Sequence, residues 1–145
     1  MKIRNFKISD SKKLSKLNLF CFKEHTKHLD FLKLGNDKNY IIFIAEFKNN
    51  IVGYLVARTI KGNDVCEIIS IAVQPNFRNR GFALKLLNSL IDFLKKINYK
   101  KITLEVSNSN FSAINLYEKY KFKSIGLRKG YYLNNIDASI MALDI

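Results

Sequence analysis

The short motifs that most often announce a chemistry are missing from this 145-residue chain. It has no Gly-Lys-Ser/Thr for a nucleoside-triphosphate loop and no three-glycine dinucleotide fingerprint. Its two cysteines, Cys21 and Cys66, form no CxxC, and only His25 and His28 could join them around an ion. They read as buried or partly buried thiols beside surface histidines, so no metal is expected. The uncharged run Ile68 to Phe77 is too short to cross a bilayer, and Met1-Lys2-Ile3-Arg4 opens no apolar leader. No internal repeat or low-complexity linker breaks the chain. The expectation is one cytoplasmic domain over residues 1–145, with no membrane partner.

Acidic residues are also scarce, 12 against 25 Lys and Arg, which leaves a net charge of +13. Such an excess suits an anionic partner such as coenzyme A or RNA. Lysines outnumber arginines 20 to 5, however, and they are spread along the chain as on a generally solvated face. Phe and Tyr are not interleaved with Lys and Arg as a base-stacking platform requires, so direct nucleic-acid binding is not expected.

What is present is an ordinary globular composition, 48% hydrophobic and 26% charged, in a chain long enough to bury a core. Its organising stretch is Val65 to Leu84. Val65 to Val73 is almost wholly apolar, with Glu67 its lone charge, and fits a central strand buried on both faces. The strand stops at Gln74-Pro75, and after the basic loop Arg78-Asn79-Arg80 a helix opens at Gly81. First-turn amides lack intrahelical partners and can hold phosphate, Gly81 allows close backbone approach, and the arginines add charge. A plain basic turn fits the same residues.

The remaining segments alternate strand and helix signals. Lys2 to Ile8 predicts an opening strand, and Ser9-Asp10-Ser11 cap a helix whose stripe is Leu14, Leu17 and Phe20 or Cys21. A short helix over Thr26 to Leu34 ends at Gly35. Tyr40 to Phe47 and Ile51 to Ile60 predict a hairpin turned at Lys48-Asn49-Asn50, with Val65 to Val73 as the next antiparallel strand. The helix after Gly81 carries Ala83, Leu86, Leu87, Leu90, Ile91, Leu94 and Ile97 on one face. Lys101 to Val106 is a strand able to lie parallel to Val65 to Val73, with Thr103 and Glu105 opposite Ile102, Leu104 and Val106. Ser107-Asn108-Ser109-Asn110 cap a helix to about Lys119 on which Asn110, Ile114 and Tyr117 share a face. Phe122 to Leu133 and Asp137 to Leu143 predict a last hairpin around Asn134-Asn135. By itself Tyr117 reads as a core aromatic with its hydroxyl at the boundary, as most helical tyrosines are.

Ile71-Ala72-Val73, Pro75 and Arg78-x-x-Gly81-x-Ala83 resemble the acetyl-coenzyme A motif of the GCN5-related N-acetyltransferases, Gln/Arg-x-x-Gly-x-Gly/Ala. Leu104-Glu105-Val106, Asn110, Leu116-Tyr117-Glu118, Tyr131-Tyr132 and the tail Asp137 to Leu143 are similar to the bacterial ribosomal-protein-alanine branch. The resemblance covers nearly the whole chain. It implies an α/β (α+β) acyltransferase fold: a single mixed, mostly antiparallel sheet flanked by helices.

The resemblance further implies acetyl-coenzyme A held by Ile71, Ala72, Val73, Arg78, Asn79, Arg80, Gly81, Phe82, Ala83, Leu84 and Asn110. In it Glu105 is the general base, with Glu67 the alternative, Tyr117 is the general acid, and Tyr131 and Tyr132 meet the acceptor. The implied reaction is acetyl transfer to a protein's N-terminal α-amine, on a ribosomal protein. Alternatives are a lysine or small-molecule amine as acceptor, or a basic ribosome- or RNA-binding module without catalysis. Four positions depart from the pattern. Ala83 replaces a second glycine and Lys121 stands where a glycine usually precedes Phe122. Leu133 replaces a proline after the paired tyrosines, and a Pro-Trp is missing around Cys21 to His25.

Overall fold

The computed structural model describes residues 1–22, 28–132 and 135–145. Within these residues seven strands form one sheet in the order β1-β2-β3-β4-β5-β7-β6. They are β1 (Lys2–Asn5), β2 (Tyr40–Phe47), β3 (Asn50–Ile60), β4 (Val65–Val73), β5 (Lys101–Ser107), β6 (Lys123–Tyr132) and β7 (Ile136–Asp144). Among the described residues only β4 and β5 pair in parallel. The reason is topological: the helix α3 (Phe82–Lys96) connects them, and a parallel pair needs such a crossover. The expected mixed, mostly antiparallel sheet is therefore the one observed.

Helices cover both faces. Leu86, Leu87, Leu90 and Leu94 of α3 are wholly buried against Phe43, Leu55, Cys66, Ile68, Ile102 and Leu104. Helix α4 (Phe111–Lys119) adds Tyr117 to the same core. On the other face α1 (Ser11–Cys21) and α2 (Phe31–Gly35) bring Leu14, Leu17 and Phe31 onto Ile42, Ile44, Tyr54, Val56 and Ala72. Burying a Leu or Phe of this kind contributes about 1.5–3 kcal/mol each. Two layers of helix sandwich the sheet, which explains why β3 and β4 read as near-continuous apolar runs.

Local chemistry sets the element ends. Strand β1 stops at Asn5, short of the expected Ile8, because Ile8–Asp10 form a 3₁₀ turn. That turn is held by Asp10, whose carboxylate accepts from the Lys7 amide at 2.8 Å and from Arg4 at 2.8 and 2.9 Å. Asp10 therefore serves the turn and gives no side-chain cap to α1. In α1 the third stripe position belongs to Cys21, since Phe20 is exposed. Helix α2 starts at Phe31, capped by Asp30, and part of the longer helix expected from Thr26 lies outside the described residues. The first hairpin turns on Lys48 and Asn49 alone, both with positive φ, as the twist of a two-residue connection demands. Helix α3 ends in a pair of bonds, Asn98 N to Lys95 O at 3.2 Å and Tyr99 N to Leu94 O at 3.0 Å, around left-handed Asn98. Ile97 is its C-cap and exposed, so it leaves the apolar face on which the spacing put it. The turn expected around Asn134-Asn135 lies partly outside the described residues.

Candidate active site

The site begins with a parting of strands. β4 and β5 pair only from Val65↔Lys101 to Ile68↔Leu104. Beyond that point β4 keeps its bonds to β3, and β5 keeps its bonds to β7. A bulge accompanies the parting: Val56 pairs with Ser70 and Ala57 with Ile68, so Ile69 is the extra residue. The parity of β4 flips there. Cys66 and Ile68 face α3, whereas after the bulge Ile71 and Val73 do, and Ser70 and Ala72 face α1.

The opening left between the two strands is a cleft of about 370 Å³ lined from both faces of the sheet. Tyr117 reaches it from α4, and Asn18 from α1. Glu67, Ser70, Glu105, Asn110, Tyr131 and Tyr132 also belong to its polar lining, with Ser107 and Ser109. The structure thus gathers in one cleft Glu105, Glu67, Tyr117, Asn110, Tyr131, Tyr132 and Ile71 of the residues singled out in the sequence.

The carboxylates are both paired. Glu105 accepts from Nη1 of Arg128 at 3.0 and 3.1 Å, and Arg128 in turn lies 4.6 Å over the Tyr131 ring. Glu67 accepts from Arg58 at 2.8 Å. Alternation along β5 buries Ile102, Leu104 and Val106 under α3 and puts Glu105 on the opposite face. Tyr117 comes from the α3 and α4 side, packed on Phe122 with ring centroids 5.5 Å apart. Burial raises the Tyr117 hydroxyl above the ordinary tyrosine value, and Tyr132 adds to the shift. A carboxylate and a protonated phenol therefore approach the cleft from opposite sides of the sheet. That arrangement can take a proton from an entering group and offer one to a departing group.

A third polar set lies beneath them. Tyr54, wholly buried, donates to Oδ1 of buried Asn18 at 2.6 Å, and its oxygen lies 3.2 Å from Oγ of Ser70. Nothing in the sequence reading selected these residues. The available signals were Asn18 four residues after Leu14 on the apolar stripe of α1, and Ser70 as the lone hydroxyl in Val65 to Val73. Arg128 was also passed over, hidden among the basic residues of β6.

The basic loop forms a separate part of the site. Gly81 is the N-cap of α3 at φ 79 and ψ 8, and a Cβ there would meet nothing within 4 Å. Among the described residues no side chain caps the helix, so its first-turn amides are left for solvent or a ligand. These amides, the open face of Gly81 and the edge of β4 that β5 leaves uncovered fit a pyrophosphate with an extended arm. The arginines are less free than their sequence suggests. Arg78 donates through Nε to the Val73 carbonyl at 3.0 Å, and Arg80 stacks 5.4 Å over Phe77. Phe82 is buried among Phe47 and Phe77, which leaves only its backbone for a ligand, whereas Leu84 is exposed. Asn110 caps α4 by accepting from the Ala113 amide at 3.2 Å, so its Nδ2 is the part left for a partner. Among the described residues no group of three or more His, Cys, Asp or Glu is placed to hold a metal.

A sheet split beside a helix N-terminus, with a carboxylate and a phenol across the split, has the fold of an acyl-transfer enzyme. The family model for the Acetyltransferase (GNAT) family matches residues 11–122, and the chain belongs to that family. It is an N-acetyltransferase, and acetyl-coenzyme A is the acetyl donor that the family uses. An N-alpha-acetyltransferase of Saccharolobus solfataricus is 32% identical over 97% of this chain and 90% of its own length. The [ribosomal protein bS18]-alanine N-acetyltransferase of Haemophilus influenzae is 35% identical over 70% of this chain and 67% of its own length. The crystal structure of the ribosomal-protein-S18-alanine N-acetyltransferase from Escherichia coli superposes with a TM-score of 0.90 at 26% identity, covering 99% of this chain and 93% of that one. Among the described residues no helix is long and apolar enough to cross a membrane.

Proposed function

We propose that this enzyme acetylates the N-terminal α-amine of a protein, a ribosomal protein in the first instance. The observation that carries the reading is the meeting of Glu105 and Tyr117 in the cleft where β4 and β5 part. Names of relatives over most of the chain support an α-amine, and those of the bacterial relatives support a ribosomal protein.

Elementary acid–base chemistry favours the same acceptor. An α-amino group titrates near 7.7 to 8.0 and a lysine near 10.4. At pH 7, freeing the lysine amine costs about 4.6 kcal/mol, against roughly 1 to 1.4 kcal/mol for the α-amine. A cleft whose bases are carboxylates therefore suits the α-amine.

In this reading acetyl-coenzyme A, when bound, supplies the acetyl group as a thioester. The amides of Gly81, Phe82 and Ala83 hold the pyrophosphate, and Ile71 to Val73 hold the arm. Glu105 takes a proton from the acceptor ammonium, directly or through a water, and Glu67 is the competing base. Tyr117 keeps its proton toward the departing sulfur. A thiol near 8.5 is more acidic than a phenol near 10, so hydrogen-bond stabilisation of that sulfur, rather than full transfer, is its contribution. Tyr131 and Tyr132 border the acceptor end.

Intact-mass measurement of ribosomal proteins from cells with and without the protein tests the acceptor. One acetyl mass lost from a single small ribosomal protein is expected. In vitro, a free N-terminal peptide should outrun the same peptide blocked at its N-terminus but carrying lysine. The reverse order assigns the enzyme to lysines or small amines.

A further inference from the structure

The Asn18, Tyr54 and Ser70 set has a direction, and the direction has a consequence for the acceptor. Tyr54 has one proton. The 2.6 Å contact with Asn18 lies in the range of O–H···O bonds and below that of N–H···O bonds, so the phenol donates to the amide oxygen. With that proton committed, the 3.2 Å contact between Tyr54 and Ser70 is a bond only if Ser70 donates. In that bond the Ser70 proton is turned inward, toward a wholly buried phenol. Its remaining lone pairs belong to the cleft, which Ser70 lines on the same strand as Glu67.

We infer that Ser70 is an acceptor-positioning residue that receives a hydrogen bond from the substrate's amine, and that Tyr54 and Asn18 fix its polarity. The chemistry selected is an N–H donor. A primary amine that has given one proton to a carboxylate keeps two N–H bonds, enough for Ser70 and that carboxylate together, whereas its N-methyl form keeps one. The bulge at Ile69 is what turns Ser70 to this face. The inference rests on reading the cleft as the acceptor site of acetyl transfer. It adds a group that senses the number of N–H bonds on the nitrogen, a different task from removing a proton.

The test compares steady-state constants for a peptide with a free α-amine and for its N-methylated analogue, in wild type, Ser70→Ala, Ser70→Thr and Tyr54→Phe. Ser70→Ala should raise the acceptor KM about tenfold, the loss of one hydrogen bond to a charged group, with the acetyl-coenzyme A KM within about twofold. Ser70→Thr should stay within about threefold of wild type, because it keeps the hydroxyl. Tyr54→Phe frees the serine proton and should raise the acceptor KM by about threefold. The wild type should prefer the primary amine over the N-methyl form by more than Ser70→Ala does. An unchanged acceptor KM in Ser70→Ala, an equal rise in both KM values, or an acceptor bound more tightly by Tyr54→Phe would overturn the assignment. A wild type inactive on α-amines but active on a lysine peptide or small amine overturns the α-amine reading alone, and the Ser70 comparison is then run on that amine. A wild type that acetylates no amine overturns both.

Discussion

One guanidinium nitrogen of Arg128 bridges both oxygens of Glu105, at 3.0 and 3.1 Å, while the same guanidinium lies over Tyr131. The candidate base is thus held by a cation of the edge strand β6. At a half-exposed arginine the pair contributes little to stability, so its value lies in orienting the carboxylate. Arg128→Gln should lower kcat/KM by about tenfold with the acetyl-coenzyme A KM unchanged. The double variant with Glu105→Gln should be no slower than Glu105→Gln alone, since the two share one task. Additive losses in that cycle would show that Arg128 acts elsewhere.

Glu105→Gln and Tyr117→Phe preserve volume, and each should reduce the acetyl-transfer rate constant about 10²- to 10⁴-fold, the span of a positioned acid or base. Rates at saturating cofactor, with Glu67→Gln alongside, decide the assignment. A crippled Glu67→Gln beside a near-normal Glu105→Gln moves the base to Glu67. Burial holds the Tyr117 proton above the usual phenol range, so no alkaline loss of rate from this group is expected between pH 7 and about 10.

Gly81→Asp should sharply weaken acetyl-coenzyme A binding, read by calorimetry. The carboxylate would stand in the open space before the α3 amides, where a pyrophosphate carries like charge. The backbone at φ 79 adds strain, so thermal unfolding is measured in parallel. A folded variant with unchanged affinity would make the loop a turn and no more.

Arg4 hydrogen bonds hold the Asp10 carboxyl below the usual carboxylate range, against the opposing effect of burial. A lowered native value gives stability that is present above about pH 4 and lost as pH falls through the native value. Asp10→Asn should cost roughly 1–3 kcal/mol at pH 7 and flatten the acid limb of stability. Denaturant titrations at pH 7, 4 and 3 measure both.

Lys121 sits at φ 70, in the left-handed region, where the family pattern has glycine. The strain of a side chain there is about 1–2 kcal/mol, and glycine's extra unfolded freedom takes back about 0.4–1 kcal/mol. Lys121→Gly should therefore raise stability by roughly 0.5–1 kcal/mol without changing activity, as read from Tm and rate together.

Periodicity alone determined most of the architecture. Val65 to Val73 announced a central strand by its unbroken apolar run, α3 by its leucine spacing, and β5 by strict alternation that put Glu105 opposite Leu104. These are local signals, legible because each element must bury one stripe or face. The order Gly81, Glu105, Asn110, Tyr117 was likewise legible, through its likeness to a known family. What the sequence could not show is set by pairing between distant strands. That β4 and β5 part after Ile68 and Leu104, that a bulge at Ile69 reverses the facing of Ser70, and that Tyr54 commits its proton to Asn18 follow from register and packing, across 36 residues of chain for the last contact. The same holds for Arg128, which reads as one more surface cation until the return of β6 beside β7 brings it to Glu105 across 23 residues of chain. Tertiary structure decided these because a strand's faces are fixed by its own alternation, whereas the side chains they meet are fixed by which strand lies alongside.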